Sequence, residues 1–122
     1  MRYPDLPALL DRKRTELGRG PVSIVLAEDE VELHSTLDHQ LACGFRDVVL
    51  LAPEGVQVAS EFETRLHIVT HDVFAEGALV QAVNDLAARL SGTWLHYCHN
   101  AEYLLFPFCE TRNIRELLAF HT

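Results

Sequence analysis

The sequence predicts an α/β fold, a mainly parallel sheet flanked by helices, from three observations. Short apolar runs of strand length alternate with segments whose leucines recur at helical spacing. These runs are apolar at nearly every position, which is typical of strands that are covered on both faces. Glycine stands at the expected ends of helices, as at Gly18, Gly44 and Gly92. Such alternation favours a parallel sheet with right-handed crossovers.

Each element is predicted from its own pattern. Asp5 is placed to cap the first helix, and Asp29 with Glu32 forms a capping-box-like start for the second. The predicted elements are, in order, helix Asp5 to Leu17, strand Val22 to Ala27, a helix carrying Leu33, Leu37 and Leu41, strand Asp47 to Ala52, strand Leu66 to Thr70, a helix carrying Leu79, Val83, Leu86 and Leu90, strand Trp94 to Cys98, and a last helix capped by Thr111 or Asn113 that carries Ile114, Leu117, Leu118 and His121.

Length and charge restrict the class of protein. The 122 residues fit a single domain, 1–122, and 48% apolar content is ordinary for a globular chain. The net charge of -8 argues against nucleic acid or an anionic membrane as partner. The N-terminus has no apolar run of spanning length, so we expect no membrane span and a cytoplasmic location. Three scattered cysteines, Cys43, Cys98 and Cys109, favour reduced thiols.

Polar side chains follow three of the predicted strands. Because the carboxyl ends of parallel strands meet at one edge of a sheet, we expect these residues to share the edge where ligands bind. The candidates are Glu28, Asp29 and Glu30 after the first strand, Thr70, His71 and Asp72 after the third, and His99, Asn100 and Glu102 after the fourth.

The run from Trp94 to Leu104, a predicted buried strand ending in a polar turn, resembles the sugar-nucleotide site of family 2-like glycosyltransferases with a GT-A fold. In that family a Trp-led strand ends in Asp-x-Asp-Glu-Phe-Leu. Here Glu102, Tyr103 and Leu104 keep their places, whereas His99 and Ala101 stand where the aspartates would be.

Two further phrases resemble the family and come in the same order. The acidic run after the first strand is followed by a His-x-x-x-Gly-Phe-like phrase, His39 to Phe45, and then by a strand. The segment from Ala82 to Ala88 is similar to the helix that precedes the metal-binding strand.

The resemblance implies a Rossmann-like GT-A nucleotide-binding half over residues 21–122, preceded by an N-terminal helix and linker over residues 1–20. It implies a nucleotide-sugar donor and an unknown acceptor, with Glu28, Asp29 and Glu30 near the nucleotide base and His99, Asn100 and Glu102 near the diphosphate. It leaves His99 and Glu102 to hold a divalent cation, Mn²⁺ or Mg²⁺, although imidazole suits softer metals. It assigns no catalytic residue. The family has a further segment for the acceptor site, so the unit is expected to be incomplete.

Other interpretations stay open. A hydrogen-bonded turn at a strand end accounts equally well for His99 and Glu102, and acids after the first strand also stabilise a helix N-terminus. The strand Val22 to Ala27 with its acidic end resembles a receiver domain, but Ala52 stands where the phospho-accepting Asp would be. A non-catalytic interaction or ligand-binding module is the alternative from another class. An uncovered sheet edge would favour pairing of two copies as a homodimer.

Overall fold

A computed structural model of the chain describes residues 1–102 and 114–119, and it contains five strands and four α-helices. The predictions that fall on Tyr103, Leu104, Cys109, Thr111, Asn113 and His121 lie outside the described residues. The elements are β1 (Arg2–Tyr3), α1 (Leu6–Leu17), β2 (Val22–Leu26), α2 (Leu33–Ala42), β3 (Asp47–Ala52), a 3₁₀ turn (Ser60–Phe62), β4 (His67–Thr70), α3 (Ala78–Arg89), β5 (Leu95–His99) and α4 (Ile114–Ala119).

All five strands form one parallel sheet in the order β1-β4-β3-β2-β5. The chain moves from β2 to β3 and β4 in one direction, and α3 then carries it back across the sheet to place β5 on the other side of β2. The order therefore reverses at β2, and this strand has β3 on one side and β5 on the other. The predicted α/β class with a mainly parallel sheet is confirmed.

Two apolar layers cover the sheet because residues of a strand point to alternate faces. On one face, Val22, Ile24 and Leu26 of β2 pack with the buried sides of α1 and α3. On the other face, Val25 and Ala27 pack with α2, the 3₁₀ turn and Ile114 of α4. The central strands β2 and β3 are buried at nearly every position, as their continuous apolar runs predict.

Local signals account for most helix ends. The Asp5 carboxylate accepts a hydrogen bond from the Ala8 amide at 2.9 Å, so the predicted cap of α1 is confirmed. The predicted capping box of α2 is wrong. Glu32 is the N-cap residue with φ of 50°, and its side chain makes no capping hydrogen bond. Asp29 is turned instead toward Val31 and the end of β5.

Strand β1, formed by Arg2 and Tyr3, was not predicted from the sequence. Arg2 and Tyr3 pair with Ile68 and Val69, which makes β1 the edge strand beside β4. The region 1–20 therefore contributes a strand to the sheet as well as helix α1, whose buried leucines belong to the same apolar layer as α3.

The prediction that Trp94 to Cys98 is a buried strand is wrong in its burial. β5 is the other edge strand, and among its residues only Cys98 is buried. Trp94 is 49% exposed and Tyr97 is 55% exposed. Cys43 and Cys98 are buried, and neither forms a disulfide within the described residues. Across the described part of the chain, no helix combines the length and apolar character needed to cross a bilayer.

Candidate functional site

The candidate site lies at the carboxyl ends of β2 and β5, where the strand order reverses. In open α/β sheets, ligands bind in the crevice outside the carboxyl ends at such a point. The loop after β2 carries Glu28, Asp29 and Glu30, and the loop after β5 begins at Asn100. Two of the three predicted loops are thus neighbours. The third, at His71 and Asp72, follows β4, which is two strands from β2 and therefore about 10 Å away.

Asn100 joins the two loops. Its side-chain amide donates to the Asp29 carboxylate at 2.8 Å and to the Val31 carbonyl at 2.9 Å. Its side-chain oxygen accepts a hydrogen bond from the Glu28 backbone amide at 3.3 Å. The Asn100 backbone amide continues the sheet by donating to the Leu26 carbonyl at 3.1 Å. These hydrogen bonds fix the loop after β2 against the loop after β5, although the bonded residues are about 70 positions apart in sequence.

Thr36 makes a second connection, which the sequence analysis missed. This fully buried side chain of α2 donates to the Glu32 carbonyl at 2.7 Å and accepts from the Ala101 amide at 2.8 Å. Ala101 has φ of 69°, a left-handed conformation that turns the chain at the end of β5. A threonine in the first turn of a predicted helix, whose hydroxyl can bond the backbone, was the available signal.

His99 and Glu102 form a closed turn. The Glu102 carboxylate accepts from the His99 backbone amide at 2.5 Å and lies 3.3 Å from the His99 ring nitrogen Nδ1, while the Glu102 amide donates to the His99 carbonyl at 3.3 Å. The interpretation of these residues as a hydrogen-bonded turn is therefore confirmed. Both side chains remain about half exposed. Within residues 1–102 and 114–119, no three His, Cys, Asp or Glu side chains come together as a metal site.

The carboxyl edge is strongly acidic. From each strand end to the next helix or 3₁₀ turn, the described residues include no Lys or Arg, and they carry Asp5, Glu28, Asp29, Glu30, Glu32, Glu54, Asp72, Glu76 and Glu102. Such a concentration of one sign of charge repels an approaching phosphate and attracts a cation. A diphosphate bound at this edge would therefore require a divalent cation beside it.

The edge strand β5 also faces a small apolar cavity of about 180 Å³ between β5 and α4. His96 lines it, with its ring stacked on Phe45 at 5.4 Å and its Nδ1 atom 3.4 Å from the buried Ser23 hydroxyl. Burial lowers the pKa of His96, with Glu102 raising it and His39 lowering it to smaller extents. The ring is therefore held mainly neutral near pH 7.

Cys98 is not an activated nucleophile. Burial, with a smaller contribution from the Glu102 carboxylate, raises the pKa of its thiol to about 12. Because the thiolate is the reactive form, the native Cys98 side chain is inert at neutral pH.

The structure defines an α/β protein with a five-stranded parallel sheet whose strand order reverses at β2. Comparisons of the chain with protein-family models, with curated proteins and with solved structures gave no match. The polar residues at the carboxyl edge are therefore the basis for assigning a function.

Proposed function

We propose that this chain is the nucleotide-sugar-binding part of a GT-A-like glycosyltransferase, with the donor seated at the carboxyl ends of β2 and β5. The observation that supports it is the bridge that Asn100 makes between the two loops. The acidic run at Glu28 to Glu30 and the run at His99 to Glu102 are the phrases that resemble the donor site of that family, and the two meet at the point where the strand order reverses.

In this proposal, each of the two loops binds a different part of the donor. The loop of Glu28, Asp29 and Glu30 lies beside the nucleoside, where carboxylates can accept hydrogen bonds from base N–H groups and ribose hydroxyls. The turn of His99 and Glu102 lies beside the diphosphate. Asn100 has all its side-chain contacts within the protein and acts by positioning these loops.

A divalent cation fits the charge of this edge. Mg²⁺ and similar hard ions are often held by one or two carboxylates, with substrate phosphates and water completing the shell. Glu102 uses the same carboxylate oxygen, Oε1, for its contacts with the His99 amide and ring, so its second oxygen can serve as a ligand. A bound cation would neutralise the leaving diphosphate. His99 is the poorer ligand for such an ion.

The experiment is a thermal-shift titration of the chain with UDP, GDP and CMP and their sugars, each with Mn²⁺ and with a chelator. We expect one nucleotide to raise the melting temperature in a concentration-dependent way, because a ligand of the native state stabilises it by linkage. We expect the rise to require the metal.

Glu102→Gln tests the assignment, since glutamine keeps an oxygen that can accept the His99 amide while removing the charge. Its affinity for the nucleotide with Mn²⁺ should fall about tenfold, or about 1.4 kcal/mol. Glu54→Gln is the matched control, being an exposed acid of the same edge after β3. Equal affinities in the two variants would remove Glu102 from the site. A flat response to all nucleotides would overturn the proposal.

The position of β5 at one end of the sheet formed by the described strands favours a second candidate, a non-catalytic interaction module. The β2 pairing uses the peptide groups of His96 and Cys98, so those of Leu95 and Tyr97 point away from the sheet. Trp94 and Tyr97 are exposed beside them. A flat nucleotide screen together with a concentration-dependent mass in sedimentation would support this function instead.

A further inference from the structure

The basic side chains of the protein collect at the end of the sheet opposite the acidic edge. Nine of the ten Lys and Arg residues lie in the described part of the chain, and every one starts or precedes a strand, lies in the second half of α1 or α3, or lies in the first turn of α4. They are Arg2, Arg12, Lys13, Arg14, Arg19, Arg46, Arg65, Arg89 and Arg115. An acidic protein thus has a positive amino edge.

A cavity of about 630 Å³ opens at this amino edge. Lys13 reaches it from α1, Arg46 from the turn before β3 and Arg65 from the turn before β4. A second cavity of about 580 Å³ shares Arg46 and Asp47 with the first and adds Arg19 and Arg115. Arg46 therefore lies between two cavities that are lined by cations from five separate segments.

The wall of the larger cavity contains a partly buried polar pair. His67 Nε2 lies 3.0 Å from the Asp47 carboxylate, and the two side chains are only 14% and 20% exposed. The other ring nitrogen, His67 Nδ1, is buried and has no hydrogen-bond partner among the described residues. Asp47 and His67 thus form a polar part of the wall of this cavity.

The cations around the cavity are weakly engaged within the protein. Lys13 lies 3.5 Å from Glu16, and Arg65 lies 4.0 Å from Asp38, both in exposed pairs of little strength. The Arg46 guanidinium makes no ion pair within residues 1–102 and 114–119.

The acids that line the cavity do not cancel these charges. Glu63 is bound by Arg2 at 2.8 Å, and the other lining carboxylate, Asp47, is outnumbered by the three lining cations Lys13, Arg46 and Arg65. The cavity therefore keeps an excess of positive charge.

We propose that this cavity is a second ligand site, which binds a phosphate group, either as free phosphate or on a small phosphate monoester. Guanidinium forks match two phosphate oxygens at once, and Lys13 supplies a point charge. This site is independent of the proposed donor site. The six residues of β3 separate the two edges by about 20 Å.

The test is an amide NMR titration of the full chain with inorganic phosphate, and separately with glycerol 2-phosphate, at constant ionic strength against chloride. We expect saturable shifts at Arg46, Asp47 and residues 64–67, and none at Glu28 to Glu30. Tighter binding of glycerol 2-phosphate would identify the monoester as the ligand, and equal or weaker binding would identify free phosphate. The absence of saturable shifts at the amino edge for both probes would overturn the proposal.

Arg46→Glu should weaken phosphate binding about tenfold or more. Arg89→Glu is the control, because it makes the same change of net charge at the end of α3, away from both cavities. If the two variants weaken binding equally, the effect is one of overall charge and the site does not exist. Glu102→Gln should leave phosphate binding unchanged, which separates this result from that of the donor site.

Discussion

Replacing Asn100 with alanine should destabilise the protein by about 2 kcal/mol. The change removes three hydrogen bonds, to Asp29, to the Val31 carbonyl and from the Glu28 amide. A typical hydrogen bond contributes about 0.5–1.5 kcal/mol net. The lower half of that range applies here, because the partners are exposed and water replaces part of what is lost.

Urea unfolding followed by circular dichroism measures the effect as a change in midpoint at constant slope. Asn84→Ala is the matched control. Asn84 is exposed in the middle of α3, where alanine has the better helix propensity, so this variant should be unchanged or slightly more stable. If Asn100→Ala lost no more than the control, the bridge between the two loops would contribute nothing and the reasoning about the site would be refuted.

Two further predictions follow from the pKa shifts at β5. Burial lowers the pKa of His96 below 6.5, so as the pH falls the histidine is protonated in the unfolded state before it is protonated in the folded state. The free energy of unfolding should therefore be highest above about pH 6.5, and it should decrease as the pH falls toward the pKa of His96 in the folded protein. Urea midpoints between about pH 5 and 8 should show this slope, His96→Gln should flatten it, and an unchanged slope would contradict the assignment. The Cys98 thiol, with its pKa raised to about 12, should resist iodoacetamide at pH ~8 in the native protein and react in urea, as read by peptide mass spectrometry. Modification at the same rate in both states would show that the thiol is accessible and unshifted.

The elements that the sequence predicts well are those whose own residues show the pattern of a strand or the start and end of a helix. β3 spans Asp47–Ala52, as its apolar run predicts, and α1 begins after Asp5 and ends before Gly18. The missed strand β1 is only two residues long and depends on a partner 66 positions away. The burial of α3 is also displaced from the predicted leucine stripe, since Ala78 and Ala82 are buried while Leu79 is only partly so. Small residues fit where a helix lies close to a sheet, and hydrophobicity does not reveal this.

The candidate site was predictable to the extent that a parallel sheet gathers strand ends. That rule brings the Glu28 to Glu30 loop and Asn100 to the same edge, and the structure makes them neighbours. The order of the strands in the sheet decides which loops are neighbours, and this order cannot be predicted from the local sequence pattern of any one element. The exposure of Trp94 has the same origin, because an aromatic residue beside an edge strand has the same sequence pattern as one in the core.

The position of β1 has a consequence for synthesis on the ribosome. Among the described strands, β1 pairs with β4, whose last residue is Thr70. Arg2 and Tyr3 must therefore wait for this partner until β4 has emerged, although β2 and β3 can pair earlier. Long-range pairing of this kind is slow because it closes a large loop. The backbone groups of Arg2 and Tyr3 are thus available to chaperones for longer than those of α1, which are satisfied within the helix.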